Sequence, residues 1–314
     1  MGSFTKIVYI ILAVLLLSAC FHKKDEDPSY TTLACASSAA DSTSSNGVLT
    51  RIRSESVLPN TYQQLFVRDN AMLDYMVHDN DNPKALMILI AGGTLNATIN
   101  GVEIGEPATN ASGNFLVRSA HLFAQQGYKV VTMDRPEDYG SFLSGDGSKG
   151  RDMDPYRTSS AHFNDIQAII EAENSGLGLP VVIAGTSRGT ISAVAQANLA
   201  DYILLSAPLT SGKGSPIGSA GVLPSHLGSK PVHLMWHDKD DCFVTTPADA
   251  ISLARDIKNV TSVKITGGID HPELSSRTSN QGCDGSKTYH GFLGIESCVV
   301  ENATSWLDGL IASP

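Results

Sequence analysis

The chain is 314 residues long, 42% hydrophobic and 17% charged, which suits a globular protein with a sizeable core. Lys and Arg number 22 against 32 Asp and Glu, a formal charge of −10, with no run of five or more basic residues. That balance argues against nucleic acid as a partner, because phosphate binding needs basic patches.

Lys6 precedes an apolar run, Ile7 to Leu17, followed by Ser18, Ala19 and Cys20. The run is shorter than the about 20 apolar residues a membrane-spanning helix needs and has the length of a secretory signal core. Leu17-Ser18-Ala19-Cys20 resembles the lipobox of bacterial lipoproteins. The resemblance implies a signal peptide over 1–19, lipidation of Cys20, and a mature chain anchored to a membrane of the cell envelope outside the cytoplasm. Several acyl chains on one Cys hold firmly, at about 0.8 kcal/mol per buried CH₂. In an oxidising compartment Cys35, Cys242, Cys283 and Cys298 read as disulfide partners, and there is no C-x-x-C. Residues 20–55, rich in Ser, Thr, Ala and Asp, read as a tether, and 56–314 as one α/β domain.

From residue 85, apolar strands alternate with helical segments. Ala85–Ala91 is a strand closed by Gly92-Gly93, and Phe115–Gln126 a helix closed by Gly127. Strand Lys129–Met133 ends in Asp134-Arg135-Pro136, and helix His162–Glu173 follows. Val181–Ala184 is a strand, Ile191–Leu199 a helix, and Tyr202–Ser206 and Val232–Trp236 are strands. Helix Pro247–Ile257, strand Ser262–Thr266 and helix Ile295–Ile311 complete the chain. Short apolar runs bounded by Gly and Pro suit strands buried on both faces, and the alternation predicts a mostly parallel sheet. A site is then expected at the carboxyl ends of the strands.

Gly185-Thr186-Ser187-Arg188-Gly189 has the form G-x-S-x-G, and a strand runs into it while a helix leaves it. That is the setting of a nucleophile elbow, with Ser187 as nucleophile. A serine hydroxyl needs a base beside it. His290, just before the last helix, is preferred over His271, which lies nearer strand Ser262–Thr266. The base needs a carboxylate to fix its tautomer. Strand Val232–Trp236 ends in His237-Asp238-Lys239-Asp240-Asp241, and Asp241 is preferred over Asp240 and Asp238 as lying far enough beyond the strand to turn toward the site. The oxyanion donors are expected at the N–H of Arg188 and in the loop Gly92-Gly93-Thr94-Leu95, with Thr94 narrowly ahead of Gly93.

This pattern resembles the α/β-hydrolase superfamily from about residue 60 onward. The segments NFLVRS (114–119), MDRPEDY (133–139), GTSRGT (185–190), HDKDDC (237–242) and YHGFLGIE (289–296) look like those of a group of exported bacterial α/β hydrolases. The resemblance implies an α/β-hydrolase fold, a serine hydrolase with Ser187, Asp241 and His290, and a disulfide between Cys242 and Cys283. Cys35 and Cys298 then pair by elimination. An ester is the expected substrate, ahead of an amide or peptide. The alternative is a ligand-binding lipoprotein on the same scaffold.

There is no GxxxxGK[ST], HExxH or dinucleotide fingerprint, so neither a cofactor nor a catalytic metal is expected. Two stretches, 140–154 and 211–228, are candidates for the pocket mouth, and neither reads as a bulky apolar lid or cap domain. Arg135, Glu137 and Asp138 are candidates either to touch substrate or to brace their loop with salt bridges.

Overall fold

The computed structural model describes residues 30–36, 60–68, 71–95, 114–139, 153–210, 224–269, 281–285 and 288–312. Cys20 and the apolar run before it, His271, and most of the two candidate mouth segments lie outside the described residues.

Among the described residues nine strands form one sheet. In chain order they are β1 (Tyr30–Cys35), β2 (Asn60–Arg68), β3 (Ala71–His78), β4 (Leu86–Ile90), β5 (Lys129–Met133), β6 (Val181–Ser187), β7 (Tyr202–Pro208), β8 (Val232–His237) and β9 (Val260–Gly267). The order across the sheet is β1-β9-β8-β7-β6-β4-β5-β3-β2. β3 pairs antiparallel with both β2 and β5, and every other pairing is parallel. The helices of the described residues are α1 (Phe115–Arg118), α2 (Ala120–Gln125), α3 (Asp154–Arg157), α4 (Ser160–Glu173), α5 (Gly189–Ala195), α6 (Pro247–Asp256) and α7 (Glu296–Ile311). No described helix is long and apolar enough to cross a membrane.

Side chains alternate across a strand, so β4 feeds both faces of the sheet. Leu86, Ile88 and Ile90 enter a core shared with Ile166 and Ile169 of α4, Ile191 of α5 and Ala250 of α6. Met87 and Leu89 enter a second core with Phe115 of α1, Phe123 of α2 and Val299 and Leu307 of α7. The whole of β4 is buried, which explains its unbroken apolar sequence.

Two expectations need correction. The stretch 20–55 is not a tether throughout, because Tyr30–Cys35 is the edge strand β1, paired with β9. Cys35 is disulfide-bonded to Cys298 of α7 with a Cα–Cα distance of 5.9 Å. The expected helix Phe115–Gln126 is two helices, with Ser119 breaking it between α1 and α2. The strands β2 and β3 add an antiparallel flank. There Asp74 is buried because Tyr62 Oη and Gln64 Nε2 donate to its Oδ1 at 2.7 and 2.9 Å.

Candidate active site

β6 ends on Ser187, whose φ is +51°. A serine in the left-handed region costs about 1–3 kcal/mol and persists only where neighbours enforce it. The flanking glycines show the enforcement. A Cβ on Gly185 would collide with the backbone of Gly189, and one on Gly189 with the carbonyl oxygen of Ile90 in β4. The turn is therefore too tight for any side chain at either position. Thr190 locks it from the helix side, donating to the Ser187 carbonyl at 2.6 Å and accepting from Leu209 N–H at 3.1 Å.

The loop after β4 lies beside this turn. A Cβ on Gly92 would stand 2.9 Å from Ser187 Cβ, so the loop can approach the serine only as glycine. Leu95 N–H closes the turn on Gly92 O at 3.1 Å, and Gly93 has φ +55°. The brace for this loop is Arg157 at the end of α3, a residue the sequence reading missed. Its side chain is fully buried. Nη2 donates to the carbonyl oxygens of Ala91 and Gly93 at 3.0 and 3.2 Å, and Nη1 to Ser192 Oγ of α5 at 3.0 Å. Burial pushes its pKa down to about 10, so it stays charged at neutral pH. All peptides among the described residues are trans, and a trans peptide points its N–H opposite its carbonyl. Holding the Ala91 and Gly93 carbonyls on Arg157 therefore turns the N–H groups of Gly92 and Thr94 the other way. Arg188, directly after Ser187, forms an ion pair with the buried Asp154 of α3.

Asp240 and His290 lie beyond β8 and β9. His290 Nδ1 lies 2.9 Å from Oδ2 of Asp240. The carboxylate at His290 is thus Asp240 and not Asp241. Residues 240, 241 and 242 alternate buried, exposed and buried. Cys242 is buried in its bridge to Cys283, Asp240 is buried beside it, and Asp241 is exposed. Asp240 Oδ1 accepts the Cys242 N–H at 2.9 Å, closing a short turn that aims Oδ2 at the histidine. Thr245, which has no exposed surface, donates to Asp240 Oδ2 at 2.9 Å and sits 3.1 Å from His290 Nδ1. Both neighbours offer lone pairs to Nδ1, so Nδ1 carries the proton and Nε2 is the acceptor. Among the described residues Nε2 has no hydrogen-bond partner.

The Cys242–Cys283 disulfide joins the two loops, with a Cα–Cα distance of 4.4 Å. Arg118 of α1 ties the histidine loop from the other side, donating to Glu296 Oε1 at 2.8 Å and to the Gly291 carbonyl. His237 backs the histidine turn, its ring stacked on Tyr289 at 4.4 Å. Its Nε2–H donates to Gly267 O at 2.8 Å and its Nδ1 accepts from Lys239 N–H at 3.1 Å. That pattern is the neutral ring, and burial pushes its pKa down accordingly. Donor atoms of Asp240, Cys242 and His290 lie within 4.8 Å of one another. They do not suit a metal, because the Cys242 sulfur is bonded to Cys283 and His290 Nδ1 is held by Asp240.

Ser187, Asp240 and His290 thus all follow the carboxyl ends of parallel strands, in that chain order. No family model and no curated protein matches the sequence. Solved structures do match. A protein described as a lipase (lip1) from Acinetobacter baumannii AYE superposes with a TM-score of 0.52 at 14% identity, over 87% of this chain and 98% of its own. A sugar hydrolase (YeeB) from Lactococcus lactis gives 0.51 at 13% identity, over 80% and 99%.

The chain has the α/β-hydrolase fold.

The Pyrococcus furiosus esterase Pf2001 adds a third match, with a TM-score of 0.50 at 12% identity, over 80% of this chain and 93% of its own. On this α/β-hydrolase scaffold Asp138 is a bracing residue, its carboxylate paired with Arg68 at 2.6 Å, while Glu137 is exposed.

Proposed function

We propose that this protein is a serine hydrolase that transfers an acyl group to water, with an ester as its substrate ahead of an amide. The observation that carries the reading is Ser187 at φ +51° on the elbow after β6, on the same sheet edge as a histidine already tautomerised by Asp240. His290 Nε2 takes the Ser187 proton as Oγ attacks the carbonyl carbon. The oxyanion is held by the Arg188 N–H and by a donor of the Gly92–Thr94 loop, where Thr94 N–H is favoured over Gly93 by the way Arg157 holds the Gly93 carbonyl. His290 then protonates the leaving alcohol, the acyl-enzyme forms, and a water activated by the same Nε2 releases the acid. Asp240 and Thr245 keep the ring oriented and Asp240 stabilises its charged form.

The proposal extends to location. Two disulfides suit an oxidising compartment, and the lipobox-like Leu17–Cys20 suits an anchor on Cys20 outside the cytoplasm. A fluorophosphonate that captures activated serines tests the chemistry. The parent chain is expected to label, and Ser187→Ala and His290→Ala are expected not to. A folded parent that fails to label would overturn the hydrolase reading and leave a binding protein on this scaffold.

A further inference from the structure

Three neighbouring strands end in one row. Ile90 of β4 is paired with Met133 of β5 on one side and with Gly185 of β6 on the other. Two residues beyond these stand Gly92, Arg135 and Ser187. The Gly92–Ser187 approach confirms that the row persists past the strands on that side. On the other side Asp134 N–H still bonds Asp74 O of β3 at 2.9 Å. Arg135 precedes Pro136, which favours an extended backbone. Strands lie about 4.8 Å apart, which puts Arg135 two spacings, roughly 10 Å, from Ser187.

Arg135 is only 8% exposed. Its Nε is buried without a hydrogen-bond partner. The neighbouring Asp134 accepts the Arg135 backbone N–H on its Oδ1 at 2.7 Å, and its charge supports the guanidinium only electrostatically. Among the described residues no side chain hydrogen-bonds that guanidinium. The other arginines around the site differ. Arg118 holds Glu296, Arg157 holds two carbonyls, and Arg188 holds Asp154. A buried guanidinium with no hydrogen-bonded anion is destabilising, and docking an anion on it relieves the penalty. Its planar fork matches a carboxylate in two parallel hydrogen bonds.

We infer that Arg135 is the specificity residue of this site and that the preferred substrate carries a carboxylate on its acyl portion, a few carbons from the scissile carbonyl. The inference rests on the hydrolase reading proposed above. The strands' parallel register makes the ligand span from the Ser187 elbow, over Gly92, to Arg135.

The test uses the full chain in mild detergent and two esters of equal acyl length, mono-p-nitrophenyl adipate and p-nitrophenyl hexanoate. They differ at the chain end, carboxylate against methyl. Rates are normalised to the sites titrated by a fluorophosphonate. The parent is expected to favour the adipate in kcat/KM. Arg135→Met is expected to lower the adipate-to-hexanoate ratio by about tenfold to a hundredfold, the loss of a charge-assisted hydrogen bond. Arg135→Lys, which keeps the charge and not the fork, is expected to fall between, and it serves alone should the Met variant not fold. A labelled parent with a ratio of one or less, or a ratio the variants leave unmoved, overturns this inference and spares the hydrolase reading. A folded parent that neither labels nor turns over either ester overturns both.

Discussion

Arg157 Nη2 sits 3.2 Å from the carbonyl oxygen of Gly93, so a fully buried charge fixes the orientation of the peptide that carries the Thr94 N–H. Removing that charge should act on catalysis through the loop and on stability through the stranded Ala91 and Gly93 carbonyls. Arg157→Met is expected to cost about 3 kcal/mol in stability, as for other buried charged groups whose partners are left behind. Arg157→Lys, with fewer donors, is expected to lower kcat by about tenfold to a hundredfold with a smaller change in KM, the pattern of a weakened oxyanion donor. Urea titration and steady-state kinetics on p-nitrophenyl esters check the two effects separately.

The choice between neighbouring acids is open to direct test. Asp240→Asn should leave the fold intact and reverse the tautomer preference of His290, lowering kcat by about 10³–10⁴-fold. Asp241→Asn, at an exposed position, should change kcat by no more than about twofold. A large loss in Asp241→Asn with Asp240→Asn little changed would return the role to Asp241.

Acid should weaken the fold through buried histidines. Burial pushes His78 and His233 down to about 4, and the neighbouring His121 pushes His78 further. An unfolded histidine titrates near 6.5. Between these values the unfolded chain binds more protons than the folded one, so stability rises with pH across the window from about 4 to 6.5. The contribution is complete above 6.5 and is lost as pH falls. The urea midpoint is expected to drop steadily between pH 6.5 and 4.5. His233→Gln, which can still meet Asn302 Oδ1 where Nε2 now lies 2.9 Å away, should flatten that slope.

The two disulfides should separate by function. Closing the 41-residue interval between Cys242 and Cys283 stabilises the fold by roughly 4 kcal/mol on the chain-entropy model. Replacing both with Ser should lower stability and kcat together, because the same bridge ties the Asp240 loop to the segment before His290. Replacing Cys35 and Cys298 should lower the melting temperature with kcat nearly unchanged. Thermal melts and ester kinetics on both double variants decide it.

Much of this was legible in the sequence because the relevant signals are local. β4 to β8 are short apolar runs closed by Gly, Pro or Asp, and the G-x-S-x-G turn sits where one of them ends. What was illegible depends on contacts distant in the chain. β3 contains Asp74, an unpromising strand residue until Tyr62 and Gln64 of β2 hydrogen-bond it. β1 hides in a polar segment and becomes a strand by pairing with β9, more than two hundred residues on. Asp241 was preferred on its reach beyond the strand and on the family resemblance. What decides for Asp240 is a turn in which its Oδ1 accepts the Cys242 N–H and its Oδ2 meets His290, a contact fifty residues away that no local pattern carries. Arg157 carries no motif at all. A fully buried arginine becomes visible only when the carbonyls it serves are in place.

β1 also settles how the molecule would bear a load. It runs parallel to β9, with Tyr30 opposite Ser262 and Cys35 opposite Gly267. The chain before Tyr30 therefore leaves from the amino ends of the parallel strands, while the Ser187 elbow and the Asp240 and His290 loops stand at their carboxyl ends. Tension entering through residue 29 would shear β1 lengthwise against β9, where all the hydrogen bonds of the pair resist at once. Past Cys35 the pull would be taken covalently by the last helix. A molecule held by its N-terminus would thus be gripped at the amino ends of its parallel strands, opposite the end that carries Ser187 and His290.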